Sequence, residues 1–387
     1  ADLDVNKMRE IVISKGQDEL DFVASMLHYL KVGGIGIVIL PMSCAGSSGA
    51  TLRAKLLEHH TLLACMTMPP QLFFDSHVGA NTCIMVFKAH IPHEASKSVF
   101  FGIWKDDGFS VIPHNGRKDA GRWSSIKEYW IDQIDGSATP NDTIWLKHKV
   151  NKNGEVLPEA YVKTDFSLLN AECFKNNIRK YALYKYMDST SSLDIKDSKK
   201  LEWLLDNYSD FERMYSGAVS SAPIALTDRK WLPFRFEKIV NDIHNGKSYN
   251  NADLVMADID DYVSYITRTE QNNGISMCAQ AIDYDGLEMA NAITIGDTTA
   301  TIFFQDHDFI TGPHIIVIRA DWLNVYTANF IITLLSQEKY RYPVFGRAFT
   351  KDLIAATELN LPVDENGNPD YQFMEDYIKS LPFSAKI

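Results

Sequence analysis

The sequence predicts an α/β chain: part of a doubly wound sheet, then a mainly helical spacer, then an α+β unit with a compact, twisted sheet. Three observations predict this. Helical and strand-like apolar runs alternate over the first hundred residues, loops and amphipathic helices fill the middle, and short β-rich runs punctuated by Asn-Gly turns fill the last part. At roughly 100 to 200 residues per domain, 387 residues suggest two or three folding units. The reading places them at 1–110, 111–222 and 223–387.

Taken in order, Leu20, Val23, Leu27 and Leu30 fall at helical spacing beside Phe22 and Met26, and Gly33-Gly34 is placed to end that helix in the left-handed conformation. A buried strand runs from Ile35 to Leu40 and stops at Pro41. Leu52, Leu56 and Leu57 mark a second helix around Thr51 to His59, which leads to the apolar run Thr61 to Met68. Two more strands follow at Thr82 to Lys88 and Ser98 to Trp104. Continuous apolar strands of this kind belong to a sheet covered on both faces. The chain offers no strand, glycine-rich turn and helix in the order that binds a dinucleotide; Gly33, Gly34 and Gly36 follow a helix and precede a strand.

From about Asp107 to Ser216 loops give way to helices. Lys175, Arg179, Lys180 and Lys185 lie among Phe174, Ile178, Tyr181 and Tyr184, an amphipathic helix with a cationic side or simply a solvated face. A polar loop at Asp188 to Ser198 precedes another helix at Lys200 to Tyr215, and Gly, Ser, Ala and Pro cluster at a boundary from Ser216 to Asp228. Beyond it, Asn245-Gly246, Asn273-Gly274 and Asn366-Gly367 punctuate strands, with helices expected at Val325 to Gln337 and Asp370 to Leu381.

Charge limits the function. Net charge is −12, and residues 223–387 hold 13 Lys and Arg against 23 Asp and Glu, so nucleic-acid binding by that half must rest on a local patch. No run approaches the ~20 apolar residues of a membrane span, and no signal-peptide order is seen, so we expect a soluble, cytoplasmic protein. Five scattered cysteines, Cys44, Cys65, Cys83, Cys173 and Cys278, argue against a disulfide framework or a structural zinc. No nucleophile elbow or local triad is present. His59-His60 and His90-x-x-His93 sit in no established metal pattern, and the run from Asp364 to Asp370 misplaces the glycine of a calcium loop.

Two segments have a nucleic-acid vocabulary. Lys339 to Lys351, KYRYPVFGRAFTK, holds four cations and no carboxylate, interleaved with Tyr340, Tyr342, Phe345 and Phe349. Tyr265 to Ile275, YITRTEQNNGI, carries Arg268, Gln271, Asn272 and Asn273; Arg pairs with guanine and Asn or Gln with adenine through two hydrogen bonds. Ordinary turns and surface cations use the same residues.

The stretch from Leu20 to Lys88, with LDFVASMLHYLKVGGIGIVILPMS, LLEHHTLLACMTMPPQLF and NTCIMVFKA, resembles the rear half of N6-adenine DNA methyltransferases of the type I modification-subunit class. FGIWKDDGF and EAYVKTDFS resemble the segments that follow. WLPFRFEKIV, YITRTEQNNGI, ITIGDTTATIFF, EKYRYPVFGRAF and LPVDENGNPDYQFMEDYIKSLPF are similar to a specificity-subunit target recognition domain. The order resembles the fused architecture of type IIG restriction-modification enzymes.

The resemblance implies double-stranded DNA as partner, with Thr267, Arg268, Asn272 and Asn273 reading bases and Lys247, Lys339, Arg341, Arg347 and Lys351 on the backbone. Gly296 and Gly346 would permit turns close to the DNA. It also implies S-adenosylmethionine as cofactor of the complete enzyme, but none for this chain. Met68-Pro69-Pro70-Gln71 is no substitute for the Asn/Asp-Pro-Pro-Tyr/Phe tetrapeptide that grips a flipped adenine. The expectation is therefore a chain truncated before its catalytic part, inactive alone, completed by a missing methyltransferase or nuclease portion or a partner subunit, and possible as a homodimer. The alternatives are an assembly module that never reads DNA and an independent enzyme of other chemistry.

Overall fold

The computed structural model describes residues 18–387 except 71, 74, 76–79, 113–115, 138, 140, 190–196, 258–261 and 344–345. The chain divides into two compact units. One comprises residues up to Thr164 together with Tyr340–Arg347, and the other comprises Asp165–Lys339 and Ala348–Ile387.

In the first unit the helices are α1 (Asp18–His28), α2 (Ala50–His59) and α3 (Trp123–Asp135). The strands are β1 (Ile35–Pro41), β2 (Thr61–Thr67), β3 (Thr82–Lys88), β4 (Ser98–Ile103), a β5 (Phe109–Ile112) and β6 (Gly116–Asp119) hairpin, and β7 (Trp145–Lys149). The main sheet has the order β1-β3-β2-β4-β7. It is mixed: β2 and β4 are parallel, and the other neighbours are antiparallel. Leu20, Val23 and Leu27 of α1 and Leu52, Leu56 and Leu57 of α2 form one core with Cys65, Met85, Phe87 and Phe101. Trp130 of α3 covers part of the opposite face against Met66, Phe100 and Trp145.

The first helix ends at His28, short of the Gly-Gly pair expected to cap it; Gly33, at φ +79°, stands instead in the turn that leads into β1, where the Gly34 N–H donates to the Lys31 carbonyl at 2.8 Å. Gly36 has another reason: a Cβ there would stand 2.6 Å from the Met26 Cε and 2.9 Å from the Leu27 Cδ2, so its absence lets α1 approach the sheet. β1 corrects the expectation of a strand buried on both faces. Among the described residues it is an edge strand, and Ile35, Ile37 and Ile39 are exposed on the side away from α1. The expected spacer at 111–222 is divided, because α3 and β7 belong to the first unit and the two long helices to the second.

The second unit contains α4 (Ala171–Ser189), α5 (Asp197–Tyr215), α6 (Val325–Gln337), α7 (Lys351–Ala356) and α8 (Tyr371–Lys379). Its strands are β8 (Lys230–Arg235), β9 (Asp242–Asn245), β10 (Tyr262–Ile266), β11 (Ile275–Gln280), β12 (Ala292–Gly296), β13 (Thr301–Gln305), β14 (Phe309–Thr311), β15 (Ile315–Arg319) and β16 (Glu358–Val363). They form sheets β13-β12-β15-β9, β11-β10-β14 and β16-β8. α6 is buried all round its middle turns, and Asn324 caps it by accepting from the Tyr326 and Thr327 N–H groups. Phe174 of α4 packs on Phe330 of α6 and Tyr377 of α8, so the apolar face read on α4 is the face that is buried.

Candidate nucleic-acid interface

The turn joining β10 to β11 is built by backbone conformation. Asn272, Asn273 and Gly274 stand at φ +47°, +54° and +82°, a left-handed run that Asn and Gly tolerate best. The Thr267 N–H closes the loop on the Gly274 carbonyl at 2.8 Å. Asn273 is buried; its amide donates to the Phe304 carbonyl at 2.7 Å, and Gln305 donates to the Asn273 carbonyl at 3.1 Å. Asn273 therefore anchors the turn to β13, and in this geometry its amide is spent on that contact.

Arg268 is exposed on the same turn and donates to Thr298 Oγ1 at 2.8 Å, while Thr299 donates to the Arg268 carbonyl at 3.4 Å. This joins it to the β12–β13 loop, where Ala300 also has positive φ. A Cβ on Gly296 would stand 2.5 Å from Thr301 Oγ1 and 3.1 Å from Arg268 Cγ, so this glycine lets the two loops approach closely. The Asp297 N–H donates to the His314 carbonyl at 3.0 Å, and the Phe349 N–H donates to the Asp297 carbonyl at 2.6 Å. Three loops and the segment before α7 thus converge, with Arg268 and the exposed Lys351 among them.

The basic segment is split. Arg341 donates to the carbonyls of Glu159 and Val162 at 2.7 and 2.6 Å and to Thr164 Oγ1 at 3.3 Å. Arg347 is 8% exposed, donates twice to Glu155 Oε2 at 2.9 and 2.7 Å, and lies 4.9 Å over the Tyr342 ring. Burial works against its charge, and the Glu155 carboxylate more than compensates, holding the guanidinium above its ordinary pKa. In this geometry both guanidiniums are engaged by the protein, Arg347 almost fully buried and Arg341 half-buried. Gly346 packs against Pro343 and Met42 of the same unit. Phe345 lies outside the described residues. Lys247 is ion-paired with Asp285 at the surface, and Tyr249 bonds the same carboxylate at 2.8 Å.

Lys339 faces a cleft of about 580 Å³ inside the second unit, walled by α4, the 270–273 turn, β13 and α6. Asn272, Gln271 and Lys180 line it too. Burial pulls the Lys339 ammonium below its ordinary pKa; Glu270 opposes that shift and Lys180 adds to it.

The N-6 DNA Methylase family matches residues 3–117. The type I restriction modification DNA specificity domain matches residues 229–386. Two separate parts of this chain thus match an N6 methylase family and a specificity-domain family. The chain is 28% identical over 171 residues to the type II restriction enzyme and methyltransferase RM.BcgI of Heyndrickxia coagulans, covering 43% of the chain and 26% of that protein. It is 23% identical over 161 residues to the specificity subunit S.BcgI of the same organism, covering 41% of the chain and 45% of that protein. The chain thus spans less than half the length of either relative. The crystal structure of the type IIG restriction endonuclease BpuSI aligns over 98% of this chain and 47% of that one at 10% identity and a TM-score of 0.33.

Within the specificity domain, Thr267, Arg268 and Lys351 gather at the loop cluster, whereas Asn272 and Lys339 turn toward the cleft. Thr298 was missed as the partner of Arg268, whereas Gln271 was already among the residues read on this turn. The strings ITIGDTTATIFF and YITRTEQNNGI contain them, but no local pattern says that the two loops touch.

Proposed function

We propose that this chain reads DNA sequence for a restriction-modification N6-adenine methyltransferase, and that it does not transfer a methyl group by itself. One observation carries the reading: an N6 methylase segment and a type I DNA specificity domain share one polypeptide. Arg268, held by Thr298 on an exposed loop cluster, presents a guanidinium able to bond guanine in two places, and the half-exposed Asn272 amide can do the same for adenine. Thr267 sets the turn that carries them. Lys351, and Lys247 if it exchanges Asp285 for phosphate, would fix register on the backbone.

Use of S-adenosylmethionine by the complete enzyme follows from the N6 methylase family. The sequence holds no Asn/Asp-Pro-Pro-Tyr/Phe tetrapeptide, and Met68-Pro69-Pro70 lacks the polar residue before its prolines; Gln71 lies outside the described residues. We therefore assign the adenine-gripping step to another segment or subunit. The exposed apolar row Ile35, Ile37 and Ile39 on β1 supports a covering layer there, since a contiguous exposed apolar patch marks an interaction surface.

Fluorescence anisotropy with labelled duplexes over a salt series tests the reading. Arg268→Ala changes sequence preference and leaves the salt slope alone, whereas Lys351→Gln weakens all duplexes alike and lowers the slope by about 1. A folded chain that shows no salt-dependent binding, yet still assembles with partner subunits, would instead be an assembly module. Saturable binding of S-adenosylmethionine to the chain alone would overturn the division of labour.

A further inference from the structure

The cleft of the second unit is built differently from the loop cluster beside it. Lys180 of α4 and Lys339 after α6 both line it, yet among the described residues neither has a carboxylate in ion-pair distance or a side-chain hydrogen-bond partner. Among the described residues, Gln271 and Asn272 at its rim likewise make no side-chain hydrogen bond. Two like charges facing one cavity repel, and the exposed Glu270 offsets them only at a distance. Such an arrangement becomes favourable when an anion with several acceptor oxygens sits between the charges. The walls decide which anion. Leu183, Leu204 and Ile332 are apolar, and the half-buried Phe303 ring can support a planar base. About 580 Å³ is also more room than a bare phosphate needs and is in the range of small-molecule sites.

We propose that this cleft is a nucleotide-phosphate site in which Lys180 and Lys339 clamp one phosphate and Gln271 and Asn272 bond the attached sugar or base. The phosphate comes either from a DNA strand laid along the specificity domain or from a free nucleotide. The first source deepens the DNA-reading proposal and rests on it; the second does not. Binding is non-covalent. The two lysines give up the mutual repulsion that now burdens Lys339, and the ligand gives up hydration of two oxygens.

The test uses the full chain and two probes, a labelled duplex and adenosine monophosphate, with wild type, Lys180→Gln/Lys339→Gln, Lys339→Arg and Glu270→Gln. Lys175→Gln, whose lysine already pairs with Glu172 at 2.9 Å outside the cleft, is the charge control. For a strand phosphate, the double variant loses about tenfold in duplex affinity and about 1 in salt slope, and Lys339→Arg recovers most of it. Glu270→Gln tightens binding. For a free nucleotide, adenosine monophosphate binds wild type saturably and the double variant does not, whatever the duplex does. That outcome keeps the site even if DNA reading fails. A folded double variant that equals wild type for both probes, or a wild type that binds neither, overturns the proposal. Equal duplex binding by both proteins, with no nucleotide binding, would remove the site and leave DNA reading intact. If the double variant does not fold, Lys180→Gln alone, at an exposed position, carries the same comparisons.

Discussion

Replacing Arg347 with Ala removes two charge-assisted bonds from a side chain only 5% exposed and leaves the Glu155 carboxylate, 17% exposed, without its cation. Breaking one partner of a buried pair costs about 3–5 kcal/mol, because the remaining charge is neither solvated nor compensated. Loss of the Tyr342 stack adds to this. At about 2–4 °C per kcal/mol for a unit of this size, the melting temperature of the first unit falls on the order of 10 °C. Thermal unfolding followed by circular dichroism reads the shift. Glu155→Ala with Arg347→Ala recovers part of the loss in a double-mutant cycle, since no orphaned charge is left. Well below the melting temperature, duplex affinity stays at the wild-type value. An Arg347→Ala protein with unchanged melting and uniformly weaker DNA binding would refute the reasoning and return this arginine to the phosphate backbone.

Asn273→Ala loses the bond to the Phe304 carbonyl and places a Cβ-bearing residue without a local polar partner at φ +54°, so it destabilises the second unit by about 1–3 kcal/mol in denaturant titration. Its effect on DNA is a loss across all sequences, unlike that of Arg268→Ala, which relaxes preference at one position. Acid weakens the first unit through His60, which is buried and accepts the His90 N–H on Nδ1 at 3.1 Å. Burial pushes its pKa down to about 4, with His90 and His59 adding to the shift. Its stabilising contribution is complete above the unfolded value near 6.5 and is lost as pH falls toward 4, on the order of 3 kcal/mol. Urea midpoints between pH 7 and 4 record it, and His60→Asn flattens that dependence.

The strands of the first sheet were legible because β2, β3 and β4 are runs of adjacent apolar residues with few other uses. β7 was not, since of Trp145–Lys149 only Trp145 is buried and the rest reads as polar surface. The start of α6 at Asn324 was written locally, in a capping side chain, whereas Gly33 announced a left-handed turn but not the end of α1, which stops at His28. The fate of the KYRYPVFGRAFTK segment was not. Arg347 and Glu155 are 192 positions apart, and a cation between aromatic rings looks the same in sequence whether it meets phosphate or a buried carboxylate. Glu155 and the nearly buried Glu159 were the available signal, two acids in a segment otherwise read only by likeness. In the same way Asn273-Gly274 announced the turn correctly, while burial of the Asn273 amide depended on β13, which the dipeptide does not encode.

Selection from a pool of randomised duplexes tests base reading most directly. The chain is incubated with the pool, and bound molecules are recovered and sequenced over several rounds. The account predicts that wild type enriches one defined motif and that Arg268→Ala enriches the same motif with one guanine position relaxed. Recovery of an unenriched pool by folded wild type, or of an identical motif by Arg268→Ala, would contradict it.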